Sequence, residues 1–112
     1  TRLPARGRGW RPILRFAALL ALALPAHAEV TPERAGKLEH IVIQDCGSCH
    51  GLTMKGGLGS PLTPEALAHA EPEGLATIIL DGVPGTAMPR WRPVLSEDDA
   101  LWIAAYLKGR NP

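Results

Sequence analysis

The 112-residue chain has only two cysteines, one tyrosine and one phenylalanine, and aromatic residues are 4% of it. Two cysteines three positions apart are too few to close a four-cysteine zinc site or a disulfide framework. The apolar run Phe16–Leu24 is nine residues long. A bilayer takes roughly 20, so this run is too short for a stable anchor. No convincing period-2 alternation appears, which removes the main signal for half-buried strands. No Arg-Arg pair precedes the run, which favours export of an unfolded chain over twin-arginine export of a folded one.

What is present begins with a leader. Arg2, Arg6, Arg8, Arg11 and Arg15 lead into the apolar run, followed by Pro25 and by Ala26-His27-Ala28, a small-x-small cleavage site before Glu29. This is the layout of a secretory signal peptide over residues 1–28, with the mature domain at 29–112 and the periplasm as destination. All 11 acidic residues fall in the mature segment, against seven basic ones, so its net charge is −4 where the whole chain has +1. No basic patch survives cleavage, which argues against nucleic acid as a partner. A domain of 84 residues has a thin core and calls for a staple.

The staple is Cys46-Gly47-Ser48-Cys49-His50. Two thiols separated by two residues match the spacing of the two vinyl groups of a haem, and the adjacent histidine lies under the iron. A Cys46–Cys49 disulfide would close a very small loop and constrain little. A thioredoxin-like pair needs a strand before it and a helix after it, whereas here a helical pattern precedes and a glycine-rich loop follows. The expected cofactor is one covalently attached haem c, with Cys46 and Cys49 as thioethers and His50 as proximal iron ligand.

Thr31-Pro32-Glu33 is a helix start, and Ala35, Leu38, Ile41 and Val42 continue it at helical spacing up to the motif. Thr63-Pro64-Glu65 repeats the signal and predicts a short helix to about His69. A third helix is expected from about Glu73 to Asp81, stopped by Gly82. Ser96-Glu97-Asp98-Asp99 opens the last, with Leu101, Trp102, Ile103, Ala105, Tyr106 and Leu107 on its apolar side and Gly109 at its end. The fold class is all-α, about four helices and long loops around one haem.

Met54, Met88, His40 and His69 compete for the iron's far face. Met54 follows His50 by four residues on the same side, His40 would have to leave its helix, and His69 reads as an exposed residue of a short helix. Met88, in the loop Gly85-Thr86-Ala87-Met88-Pro89, is the preferred distal ligand. His/Met ligation raises the reduction potential and leaves no open position for substrate, so the reading is an electron carrier and not an enzyme.

These features together resemble a class I cytochrome c. That resemblance implies a carbonyl bond from Pro61 to the ring of His50, and a small residue in the first helix, Gly36 or Ala35, where Tyr106 approaches. The run Cys46–Gly59, with Gly85-Thr86-Ala87-Met88-Pro89-Arg90-Trp91 and Leu95-Ser96-Glu97, is similar to the cytochrome c55X (NirC) family over roughly residues 40 to 107. The family implies a monomeric periplasmic carrier that leaves the membrane on signal cleavage. It also implies a redox protein partner, either cytochrome-cd nitrite reductase or a d-type haem biosynthesis protein. A haem-based gas sensor or a d-haem assembly factor are the alternatives. Lys55, Arg90 and Arg92 are candidates for a docking patch or for neutralising haem propionates, against ordinary solvated loop charges, and Trp91 for covering the ring with one hydrogen bond to a propionate.

Overall fold

In the computed structural model, which describes residues 1–4, 7 and 29–109, the first helix, α1 (Pro32–Ile41), starts where the sequence says it should. Thr31 is its N-cap and accepts a hydrogen bond from the backbone N–H of Arg34 at 3.1 Å, and Pro32 occupies the first turn. Leu38 and Val42, one helical turn apart, are 0% and 1% exposed and lie at the centre of the core. Between them and the cysteine motif the helix widens into a π turn, Val42–Cys46, in which Gly47 N–H reaches back to Val42 O. A four-residue helix, α2 (Gly47–His50), completes the rod without a break in helical backbone. The motif is therefore helical, not a loop.

α3 (Pro72–Asp81) buries Ala76, Ile79 and Leu80, and Gly82 ends it at φ 67°. α4 (Glu97–Leu107) is capped reciprocally: Ser96 Oγ accepts from Asp99 N–H at 3.1 Å, and Asp99 Oδ2 accepts from Ser96 N–H at 3.0 Å. Its buried face is Asp99, Ala100, Ile103, Ala104 and Leu107, while Trp102 and Tyr106 are only half-buried and stack on each other with ring centroids 5.2 Å apart. α3 and α4 pack most extensively, and α1 crosses α4. The described residues form no strand, and among them no helix is long and apolar enough to cross a membrane. The apolar run and cleavage site of the expected signal peptide lie outside the described residues.

The α1–α4 crossing is fixed by polar contacts more than by a small residue. Gly36 is exposed, with nothing within 4 Å of where a Cβ would sit, while Ala35 is half-buried. Tyr106 OH donates to Glu39 Oε1 at 3.2 Å. At the other end Arg34 grips Asp99 through Nε (3.2 Å) and a terminal nitrogen (2.8 Å), and that nitrogen also reaches Val94 O at 3.3 Å. The Arg34 hydrogen bonds hold the Asp99 carboxyl below its ordinary value of 3.8, against the opposing pull of burial.

This lowered carboxyl predicts an acid-labile contribution to stability. The pair stabilises the fold fully above the ordinary carboxylate value and loses that contribution as pH falls through the lowered folded-state value. Asp99→Asn should cost about 2–3 kcal/mol at neutral pH, less than a fully buried pair because Arg34 keeps access to water. Thermal melts should show the gap between variant and parent closing in acid well below 3.8. A gap that persists unchanged in acid would assign the loss to packing rather than charge.

The helix expected over Thr63–His69 is instead a run of turns. It opens as predicted, with Thr63 Oγ1 accepting from Ala66 N–H and Thr63 O accepting from Leu67 N–H at 3.0 Å. It continues as tighter turns, Ala68 N–H on Glu65 O at 3.4 Å and Ala70 N–H on Leu67 O at 3.0 Å, and the Lys108 ammonium collects the carbonyls of Leu67 (2.7 Å) and Ala70 (2.6 Å), with Ala68 at 3.5 Å. A charge 38 or more residues away in sequence thus holds the end of the segment, where terminal carbonyls have no partner within a turn.

Candidate haem centre

Cys46 closes the π turn, and Cys49 and His50 follow at the third and fourth positions after it on α2. On helical backbone those offsets share one face, so two thiols and an imidazole are presented together. Both cysteines are half-buried free thiols. Burial first, and the neighbouring Asp45 charge second, push the Cys46 thiol up, which keeps its proton on sulfur at neutral pH. Ser48 Oγ donates to Asp45 O at 2.7 Å and stands 3.9 Å from Cys49 Sγ.

The imidazole is oriented by the loop that follows. His50 Nδ1 lies 2.6 Å from the carbonyl oxygen of Ser60. A carbonyl only accepts, so Nδ1 carries the proton and the lone pair is on Nε2, which makes no hydrogen bond to the described residues. The acceptor expected at Pro61 is thus displaced by one residue. Pro61 supplies the nitrogen of the same peptide unit, while its ring packs over Gly56, whose Cβ would stand 3.2 Å from Pro61 Cγ. The next peptide runs away toward Leu62, which donates to Met54 O at 2.8 Å. Gly59 lies flat against the imidazole: a Cβ there would be 2.6 Å from Nδ1 and 2.7 Å from Cε1. The same loop caps α2, with Gly59 N–H on Cys49 O and Gly56 N–H on His50 O, both at 2.8 Å.

Met54 stands at φ 59°, the one non-glycine residue in the left-handed region among those described. Its side chain runs beside Gly47 and packs against the core, so it belongs to the histidine side of the site. His40, at the end of α1, and His69, in the turns, are both exposed.

Met88 is half-buried in the loop between α3 and α4. The loop is fastened to the end of α3, where Gly82, Trp91 and Arg92 N–H groups donate to the carbonyls of Ile78 (2.8 Å), Ile79 (3.2 Å) and Leu80 (3.0 Å). A Cβ on Gly82 would fall 2.7 Å from Met88 O, so a glycine is needed there for close approach as well as for its positive φ. The Trp91 side chain packs on the core. Arg92, one of the expected docking trio, is paired with Asp81 at 2.9 Å and reaches toward Glu97 at 3.9 Å, which offsets its charge. Its guanidinium holds the Asp81 carboxyl below the ordinary range. Lys55 and Arg90 remain exposed.

The donor set fits an iron porphyrin: thioether-forming thiols, an imidazole with a free Nε2 set by its other nitrogen, and a thioether on a separate loop. Large apolar side chains lie open on the elements beside these ligands, Leu52 and Leu58 after His50, Ile78 on α3 and Val83 before Met88. They suit a flat apolar group better than water. Two clefts of about 220 and 260 Å³ lie elsewhere, one between α3 and α4 and one between Met54 and Tyr106.

Comparison with known proteins agrees. A family model described as cytochrome c oxidase, cbb3-type, subunit III matches residues 33–107. Cytochrome c55X of Paracoccus denitrificans is 57% identical over 95 residues, which is 83% of this chain and 92% of that protein. The solved c-type cytochrome NirC superposes with a TM-score of 0.69 at 48% identity, covering 70% of this chain and 93% of that one. The dihydro-heme d1 dehydrogenase of Pseudomonas aeruginosa is 36% identical over 74 residues, 66% of this chain but only 15% of the dehydrogenase.

Proposed function

The chain belongs to the cytochrome c55X family of small c-type cytochromes, and we propose that it is a periplasmic monohaem carrier of denitrification that delivers single electrons to a cytochrome-cd nitrite reductase. Family membership makes it an electron carrier with haem c and iron, working with a redox protein partner, and not an enzyme. The bound iron supplies a one-electron couple. Cys46 and Cys49 would hold the group covalently, His50 would ligate through Nε2, and Met88 would supply a thioether from the loop between α3 and α4. Residues 1–28 direct export, and the mature domain acts as a monomer.

The observation that carries this reading is the Ser60 carbonyl on His50 Nδ1, which leaves Nε2 as the only lone-pair nitrogen beside two free thiols. Such a bond strengthens the histidine as a ligand and fixes its tautomer. The test is optical spectroscopy of the periplasmically matured protein, ferric and ferrous, with and without carbon monoxide. A low-spin spectrum with the weak methionine-to-iron band, unmoved by carbon monoxide, supports the His50/Met88 carrier. A high-spin ferric form, or ready uptake of carbon monoxide, moves the gas-binding reading to the front.

A second reading rests on the dehydrogenase likeness, in which a segment like this chain forms about one-seventh of a protein named dihydro-heme d1 dehydrogenase. In that reading the carrier serves d-type haem biosynthesis. A deletion strain separates the two: nitrite reductase lacking its d-haem assigns biosynthesis, and complete but electron-starved reductase assigns delivery.

The exposed pair Lys55 and Arg90 supports a local positive docking patch on a domain of net charge −4. Reversing both to glutamate should slow electron transfer to the reductase about tenfold at low salt and flatten its ionic-strength dependence. Equal, salt-insensitive rates in variant and parent would reduce both residues to solvated loop charges.

A further inference from the structure

Between Val83 and Pro89 the chain makes no ladder and no helix, and the side chain of Thr86 stands in for both. Its hydroxyl donates to Val83 O at 2.7 Å, and Thr86 N–H donates to the same oxygen at 3.1 Å. A hydroxyl has one proton and spare lone pairs, so with its proton on Val83 it accepts from Met88 N–H at 3.3 Å. The Met88 carbonyl is held in turn by Val83 N–H at 3.3 Å. Both backbone groups of Met88 are thereby tied across the loop. Pro89 restricts Met88 further, because a residue before proline is biased toward extended backbone.

We propose that Thr86 is a positioning residue for Met88, its hydroxyl relaying between Val83 O and Met88 N so that the thioether is held ready for the iron. The inference rests on the His50/Met88 reading above. Removing the hydroxyl loosens the tip of the loop and leaves its base intact, since Trp91 and Arg92 keep their bonds to α3 whatever stands at 86. The effect is therefore on the fraction of time Met88 is in place, not on the fold as a whole. Any added ligand that competes for the same iron position gains what Met88 loses.

The test is imidazole titration of the ferric, haem-loaded protein, followed optically, with the reduction potential measured alongside. Losing a hydrogen bond of ordinary net strength should let Thr86→Val bind imidazole about fivefold more tightly and lower its potential. Thr86→Ser, which keeps the hydroxyl, should stay within about twofold of the parent. Thr86→Ala reports the same loss if the valine does not mature. Met88→Ala fixes the upper limit of affinity. Parent-like affinity in Thr86→Val and Thr86→Ala, with much tighter binding in Met88→Ala, overturns the role of Thr86 and leaves the ligation standing. Parent-like affinity in Met88→Ala overturns the ligation itself.

Discussion

Met88→Ala should convert the ferrous protein from one that ignores carbon monoxide to one that binds it readily, and should lower the reduction potential. The thioether prefers Fe(II), so its removal takes away a ligand that favours the reduced state. Axial ligands set potentials over about 0.8 V, and loss of one such ligand is expected to move this one by on the order of 100 mV. The weak methionine-to-iron band should vanish at the same time. Stability should suffer less, because the loop base stays fastened to Ile79 O and Leu80 O and Met88 is only half-buried. Met54→Ala is the matching control. Its side chain packs on the histidine side, beside Gly47 and the core, so this variant should lose thermal stability while keeping both the band and the resistance to carbon monoxide. If Met54→Ala instead loses the band, the assignment of the two methionines is reversed.

The parts of this site that were legible in the sequence are those whose chemistry demands a side chain at a fixed offset. Covalent attachment calls for thiols separated by two residues with a histidine next to the second. Helix starts were equally legible, because a cap acts within three residues: Thr31 on Arg34 N–H and Ser96 on Asp99 N–H. What was hidden depends on partners brought together by the fold. Lys108 ties down the end of the turns at 64–69 from 38 to 41 residues away. Asp99, in the sequence one of the residues that open the last helix, is held by Arg34, 65 positions earlier. Arg92 looked like a free loop charge until the return of the loop to α3 set it against Asp81. The carbonyl on His50 illustrates a different limit. A backbone acceptor leaves no trace in residue identity, so the resemblance gave Pro61 and the fold places the bond one peptide earlier. The π turn is silent for the same reason, being a change of backbone hydrogen bonding within an unremarkable run of residues.

Gly59→Ala should damage both the fold and the site. The added carbon would stand 2.6 Å from His50 Nδ1, 2.7 Å from Cε1 and 3.1 Å from Cγ, distances at which something must move. The ring is one choice, and its movement breaks the bond to Ser60 O and misdirects Nε2. The loop is the other, and its movement breaks Gly59 N–H to Cys49 O and uncovers the end of α2. Overpacking of this kind costs about 1–3 kcal/mol, and the lost hydrogen bond adds about 1 kcal/mol. For a domain of this size about 2–4 kcal/mol corresponds to a fall in Tm of roughly 10–25 °C. Loss of an orienting partner also weakens metal binding about 10–100-fold, so the yield of haem-loaded protein should drop along with the Tm. Ser60→Ala is the discriminating companion, because the acceptor is the Ser60 backbone carbonyl and no hydrogen bond of its hydroxyl contributes to the site. That variant should mature and melt like the parent. A damaged Ser60→Ala would show that the hydroxyl takes part, and a Gly59→Ala that matures and melts normally would show that the imidazole does not rest on residue 59.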